Sequence, residues 1–501
     1  AGDRRIYLEA MVDYNRTFGR HDVNAMLLYN QDELVNNVPG NNLINSLPKR
    51  KQGLAGRLSY AYDGKYMAEV NMGYNGSENF AKGHRWGFFP SIALGYNISE
   101  ESFFEPLRKV ITSMKLRGSW GLVGNDQIGG ERFIYMPTIN LSGKGFTTGI
   151  DQNYGLSGPV YTRYENNSIT WEVGEKINLG IDLQLLNSLN IVVDIFRETR
   201  RDIFQKKGTI PTYLGTGNTD VFGNLAEMKN QGLDLSIDYN KAFSKDFYMN
   251  FKGTFTYAHN EITKYDEAPK YAFQSKVGQS ANVSQGYLSN GLFLDEAEID
   301  RYNQQMGSTL GAGDIKYLNV SNMHGYGDDI VDVDDWTWIG NPTVPEIVYG
   351  FGPSFKYKNW DFSFFFQGVA KTSLFMSGFH PFGDNSLRNV LQFVANDRWS
   401  PTNQNVDAKY PRLTRKTSLN NTNPGNSGRT SDYWMRDGSF LKLKNMELGY
   451  TFKRMRFYIS GSNLLTFSKF DLWDPEQGGG SGLKYPTQRV FNVGFQMTFN
   501  N

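Results

Sequence analysis

The chain has 501 residues, a formal charge of +1, no cysteine, 53 glycines and 15% aromatic residues. Without cysteine there are no disulfides, thiolate metal sites or cysteine nucleophiles, and the balanced charge carries no nucleic-acid signature. No apolar run approaches the roughly 20 residues that a transmembrane helix needs, so the abundant aromatics and glycines point to an all-β chain.

Alternation with a period of two begins at once. Ile6, Leu8, Ala10, Val12 and Tyr14 share one face, opposite Glu9, Asp13 and Asn15. Leu54, Leu58, Tyr60 and Tyr62 oppose Arg57, Ser59 and Asp63; Tyr66, Ala68, Val70, Met72 and Tyr74 oppose Glu69, Asn71 and Gly73. The pattern returns at Ile177–Leu185, Leu233–Tyr239, Phe247–Tyr257 and Trp360–Phe366, and closes at Phe491, Val493, Phe495, Met497 and Phe499. About fifteen such strands are predicted, each near the 9–11 residues of a tilted membrane strand. The apolar faces carry almost no charge, whereas Glu9, Asp13, Glu69, Asp182, Asp234, Asp238 and Glu447 lie on polar faces in mid-strand. A charge-free face against lipid and a polar face toward a wet lumen describe a membrane barrel. A sandwich would also have a polar outer face, but no second set of elements is visible to cover the apolar one.

The connections alternate in length. Short turns are predicted near Asp63-Gly64, Asn187-Ser188, Ala242 to Lys245, Tyr357 to Asn359 and Phe452 to Arg454, with a moderate connection at 98–113. Long loops cover about 36–50, 126–168, 205–222, 264–344, 376–439 and 471–488. Short periplasmic turns and long extracellular loops are the anatomy of an outer-membrane barrel, whereas structureless stretches of this length are odd in a soluble domain. Tyr14, Tyr62, Tyr66, Tyr96, Tyr239, Tyr357, Trp360, Phe452, Phe457 and Phe499 cluster at the short-turn end as an interfacial girdle. The run from Phe440 to Phe452 changes phase, which predicts a bulge or emergence from the membrane; Pro90 and Pro353 interrupt strand patterns. Strand parity places the first strand running from outside inward. The chain therefore reads as the C-terminal part of a larger barrel, spanning residues 1–501, with 264–344 and 376–439 as large extracellular loops.

The segment Tyr433-Trp434-Met435-Arg436-Asp437-Gly438-Ser439-Phe440-Leu441-Lys442-Leu443-Lys444-Asn445 resembles the SusC/RagA-type TonB-dependent outer-membrane transporters. So do Asp474-Pro475-Glu476, Arg85-Trp86-Gly87-Phe88-Phe89-Pro90-Ser91, Trp171-Glu172 and Gly313-Asp314-Ile315-Lys316-Tyr317 before Ile339-Gly340-Asn341-Pro342, in the same order along the chain. The resemblance implies a 22-stranded barrel with an N-terminal plug and a TonB-binding segment, neither of which is in this chain. It also implies import of oligosaccharides or peptides, energy from the TonB complex, a SusD-like surface lipoprotein as lid, and a dimer of transporter–lipoprotein pairs. A passive porin and a surface adhesion or scaffold barrel are the alternatives.

Two groups of loop residues are candidates for function. Tyr154, Tyr161, Tyr164, Trp336, Trp338, Phe379 and Phe382 are read as exposed aromatics that contact substrate or lid, against the alternative of ordinary loop packing. Asn319, Asp329, Asp332 and Asp335 lie where the resembled family carries an acidic, calcium-loop-like stretch, and hard oxygen donors suit Ca2+; the alternative is a solvated acidic loop. No cofactor is required by this reading. His21, His84, His259, His324 and His380 form no metal spacing, so no catalytic residues are assigned and an enzyme is not expected.

Overall fold

In the computed structural model, fifteen strands form one antiparallel sheet, hydrogen-bonded in chain order. They are β1 (Asp3–Phe18), β2 (His21–Asn36), β3 (Lys49–Tyr62), β4 (Tyr66–Ser77), β5 (Trp86–Asn97), β6 (Ile111–Asn125), β7 (Glu172–Leu185), β8 (Leu189–Lys206), β9 (Phe222–Ala242), β10 (Phe247–Lys264), β11 (Ile347–Tyr357), β12 (Trp360–Ala370), β13 (Phe440–Phe452), β14 (Met455–Ser468) and β15 (Val490–Met497). The structure describes residues 2–37, 43–129, 132–211, 213, 220–302, 304–305, 310–326, 328–379, 382, 387, 389–415, 421 and 430–499; His380 and parts of five of the long loops lie outside them. Several strands exceed the expected length, β9 reaching 21 residues, because they continue past the apolar band on the long-loop side. The chain divides into two compact units, Ala1–Ser236 with His259–Ala268, and Ile237–Ala258 with Pro269–Asn501.

In the first unit, register carries the apolar face across the ladder. Tyr14 pairs with Ala25, Ala25 with Leu58, Leu58 with Val70, Val70 with Ile92, Ile92 with Trp120 and Trp120 with Ile177. A slip of one residue would move each of these side chains to the polar face, so the shared alternation specifies the register. At the short-turn end His21, Tyr62, Tyr66 and Tyr96 fall in one row, and the rings of Tyr66 and Tyr96 stack at 5.2 Å. Pro90 pairs only with Met72, and the ladder to β6 starts at Ser91. The proline therefore sits where no donor is asked of it.

The polar face satisfies its own charges. Arg117 donates to Asp182 at 2.9 Å and bidentately to Asp194 at 2.8 and 2.7 Å. Glu69 accepts from Ser59 and Asn71. On the long-loop side Phe80, Ile128, Ile134, Ile169 and Trp171 form a core against Phe89, Phe204 and Phe222. Strands Thr138–Thr148 and Tyr154–Arg163 pair as a hairpin beyond the sheet.

In the second unit an aromatic row runs unbroken along the short turns. Phe247 pairs with Tyr357, Tyr357 with Trp360, Trp360 with Tyr450, Tyr450 with Phe457 and Phe457 with Phe495. Two registers higher, Phe355, Phe362, Leu448, Ile459 and Val493 repeat the arrangement. The expected phase change in β13 is a bulge against β12: the adjacent Phe365 and Phe366 pair with Asn445 and Leu443, leaving Lys444 as the extra residue. On the polar face Arg456 pairs with both Asp361 and Glu447. Pro353 faces β12 in a gap between the Phe351–Phe366 and Ser354–Ser363 pairs.

The long loops of this unit are folded, contrary to the expectation of structureless stretches. Ser284–Gly286 pairs with Thr337–Ile339, Ser289–Leu292 with Ile315–Tyr317, and Ser373–Phe375 with Met435–Asp437. Between them lies a core that includes Tyr287, Leu292, Ile315, Tyr317, Trp399 and Trp434. Loops 264–344 and 376–439 both feed it, and neither could bury its apolar residues alone.

Candidate functional site in the long loops

The loop body is built around two buried charges. Asp314 is fully buried; it accepts from the backbone N–H of Gly311 at 2.9 Å, from Nε and Nη2 of Arg412 at 2.5 and 2.9 Å, and from the amide of Asn421 at 2.5 Å. A buried carboxylate is tolerated only when its lone pairs are filled and its charge is paired. The same environment raises the Arg412 pKa, the hydrogen bond to Asp314 being the largest cause. The preceding Gly313 has φ +84°, and a Cβ there would meet the Trp399 ring at 2.3 Å, which explains why a glycine precedes the aspartate.

The second charge is Lys442, on the polar face of β13, with a side chain 1% exposed. It pairs with Asp474 and, at 2.8 Å, with Glu476; Lys444 reaches the other oxygen of Glu476 at 2.5 Å. Burial pushes both carboxyls up, but the lysine hydrogen bonds outweigh it and hold Asp474 and Glu476 below their ordinary values. The loop 471–488 is thereby fastened to the strand. Sequence reasoning quoted both segments without joining them. The signal was present: alternation in Leu441-Lys442-Leu443-Lys444 puts a lysine on the polar face, and Asp474-Pro475-Glu476 offers two carboxylates.

The aromatic candidates separate. Phe379 and Phe382 are 4% and 1% exposed, packed in the loop core against Trp473 and Trp434 respectively; their apolar rings are withdrawn from solvent and the expectation of exposed contact residues fails for them. Trp338 is half-buried and donates to the Ser275 carbonyl at 2.9 Å. Tyr154, Tyr161 and Tyr164 are exposed in the first unit, and Tyr161 stacks on Tyr164 at 5.3 Å. Trp336 is exposed at one edge, with its ring against Tyr287. Exposed rings stacked in pairs offer flat apolar faces to a ligand.

The candidate calcium ligands do not converge. Asp332 caps Val333–Asp335 and accepts from the Asp334 N–H, while Asp335 accepts from the N–H groups of Ser321 and Asp332. Asn319 accepts from the Asn322 N–H and the Ser321 hydroxyl, and Asp329 is exposed. Burial raises the Asp335 pKa. Among the described residues no three histidine, aspartate or glutamate groups are placed to hold a metal.

Residues 2–464 match a family model described as TonB dependent receptor-like, beta-barrel. The chain belongs to this family. As a TonB-dependent receptor-like barrel, of a family found in the outer membrane, it is similar to the TonB-dependent receptor SusC of Bacteroides thetaiotaomicron, 28% identical over 471 residues that cover 89% of this chain and 43% of SusC. It is 26% identical to the TonB-dependent receptor P3 of Formosa agariphila over 481 residues, 89% of this chain and 45% of that protein. The fold matches the solved structure of the RagAB peptide transporter with TM-score 0.72 and 20% identity, covering 99% of this chain and 56% of that one. The chain spans about half the length of the curated relatives it matches.

Proposed function

We propose that this chain supplies the barrel wall and the extracellular loop body of an outer-membrane importer that takes up oligosaccharides or peptides, driven by the TonB complex and lidded by a SusD-like lipoprotein. The observation that carries the reading is the folded loop body. Two long loops share one core around the buried Asp314–Arg412 pair, and the Lys442–Asp474–Glu476 cluster fastens a third loop beside it. Such a platform suits binding a cargo or a partner. The RagAB structure is named for a peptide and the name of SusC states no cargo; the exposed Tyr161–Tyr164 pair suits either a sugar ring or a peptide side chain. Calcium forms no part of the proposal, because Asp332 and Asp335 spend their oxygens on backbone N–H groups.

The test is uptake of labelled oligosaccharide and labelled peptide by cells expressing the full-length protein. Uptake of one class that stops when the proton gradient is collapsed is the expected result. Uptake that continues without the gradient would establish a passive porin instead. Tyr161→Ala with Tyr164→Ala is expected to lower uptake at unchanged surface abundance.

A further inference from the structure

The apolar face of the first unit ends in a cluster that lipid tails do not explain. Ile177 of β7 pairs with Trp120 of β6 on one side and with Arg197 of β8 on the other. Arg197 therefore occupies the apolar face, in the same row as Ile92 and Val70. Its side chain is exposed and has no hydrogen bond or ion pair among the described residues. One register higher on that face, Glu175 accepts from the Trp120 indole at 2.9 Å and from Arg201 at 3.2 Å. Glu175 and Arg201 cancel, and the charge of Arg197 is left over.

Height identifies the environment. Arg197 lies eight residues along β8 from Leu189, which follows the short turn. At about 3.3 Å per residue and a tilt near 40°, that is about 20 Å above the turn. The apolar band of a membrane barrel is about 25 Å tall, so an arginine here reaches the outer headgroups by extending its stem upward. Directly below, Leu179, Leu94, Leu116, Tyr66 and Tyr96 line an apolar groove over the small residues Ala68 and Gly118. A groove for a chain and a free guanidinium above it complement an anionic, phosphorylated lipid.

The geometry points to a lipid-phosphate site on the outward face of β6–β8, with Arg197 as the phosphate ligand, Arg201 and Trp120 flanking it, and the Ala68–Gly118 groove holding an acyl chain. This rests on the outer-membrane reading of the barrel and not on the cargo. It is tested on the full-length protein in a nonionic detergent, by native mass spectrometry with a bisphosphorylated glucosamine lipid, the same lipid dephosphorylated, and inorganic phosphate. The wild type is expected to retain the bisphosphorylated lipid in preference to the dephosphorylated one. Arg197→Gln is expected to weaken retention about fivefold, the share of one basic residue at an anionic surface. Arg200→Gln is the control, since Arg200 lies on the opposite face and bonds Glu198 at 3.0 Å; it is expected to bind normally. Equal retention by Arg197→Gln, equal loss in Arg200→Gln, equal binding of the dephosphorylated lipid, or displacement by millimolar inorganic phosphate would each overturn the site. So would loss of a protein dimer in Arg197→Gln without loss of lipid. Heat-modifiable migration of each variant reports barrel folding separately, so a failed lipid site leaves the membrane reading standing.

Discussion

At the residue scale, Lys442 shows what the polar face of a barrel strand can hold. An isolated ammonium taken out of water loses several kcal/mol of hydration. Here two carboxylates on one short turn, Asp474 and Glu476, offset that loss. The contrast is Lys469 with Asp437, 3.8 Å apart on an exposed lysine, a kind of pair worth about 1 kcal/mol or less. Lys442→Ala leaves Asp474 partly buried without its lysine and Glu476 with Lys444 alone, at a cost of about 3 kcal/mol. The expected outcome is release of loop 471–488, read in the full-length protein as new proteolysis at Lys484 and a changed fluorescence of Trp473. A loop that stays protected would show that the Trp473 packing against Phe470 and Phe379 holds it without the lysine.

At the element scale, the two acidic loop segments answer acid in opposite directions. The carboxyls of Asp474 and Glu476 lie below their ordinary values of 3.8 and 4.5. Their contribution is fully present above about pH 4.5 and is lost as pH falls through the depressed folded values, below 3.8 for Asp474 and below 4.5 for Glu476. Asp335 lies above its ordinary value because it is buried; its contribution is present below that value and is lost as pH rises through the raised one. Acid is therefore expected to free loop 471–488 below about pH 4 while the turn around Asp332–Trp336 stays in place. Hydrogen exchange of the two segments between pH 6 and pH 3 checks this, and simultaneous release of both would contradict it. The strands themselves were legible because a period of two is written in every residue: even the bulge at Lys444 showed as a phase slip between Leu443 and Met446. The loop body was not. Phe382 and Tyr154 are both aromatics in loops, yet one is buried and the other exposed, and without periodicity only tertiary packing tells them apart. The acidic run was illegible for a related reason: it looks the same whether its oxygens turn to a cation or cap backbone N–H groups, as those of Asp332 and Asp335 do.

At the scale of the whole molecule, the apolar face makes sense only against lipid. Phe491, Val493, Phe495 and Met497 of β15 are exposed, and so are Ile459 and Phe457 beside them. A continuous apolar surface of this extent would drive aggregation in water. Val493 pairs with Ile459, four residues along β14 from Met455 at the short turn. That places it about 10 Å above the turn and near the middle of the apolar band. Arginine there costs about 2–4 kcal/mol, whereas at the neighbouring Asn492, which faces the polar side opposite Ser460, it meets water. In the full-length protein Val493→Arg is expected to abolish heat-modifiable migration and surface display, and Asn492→Arg to leave both intact. Equal assembly of the two variants would mean that this face does not meet hydrocarbon, and the same alternation would then have to be covered by protein.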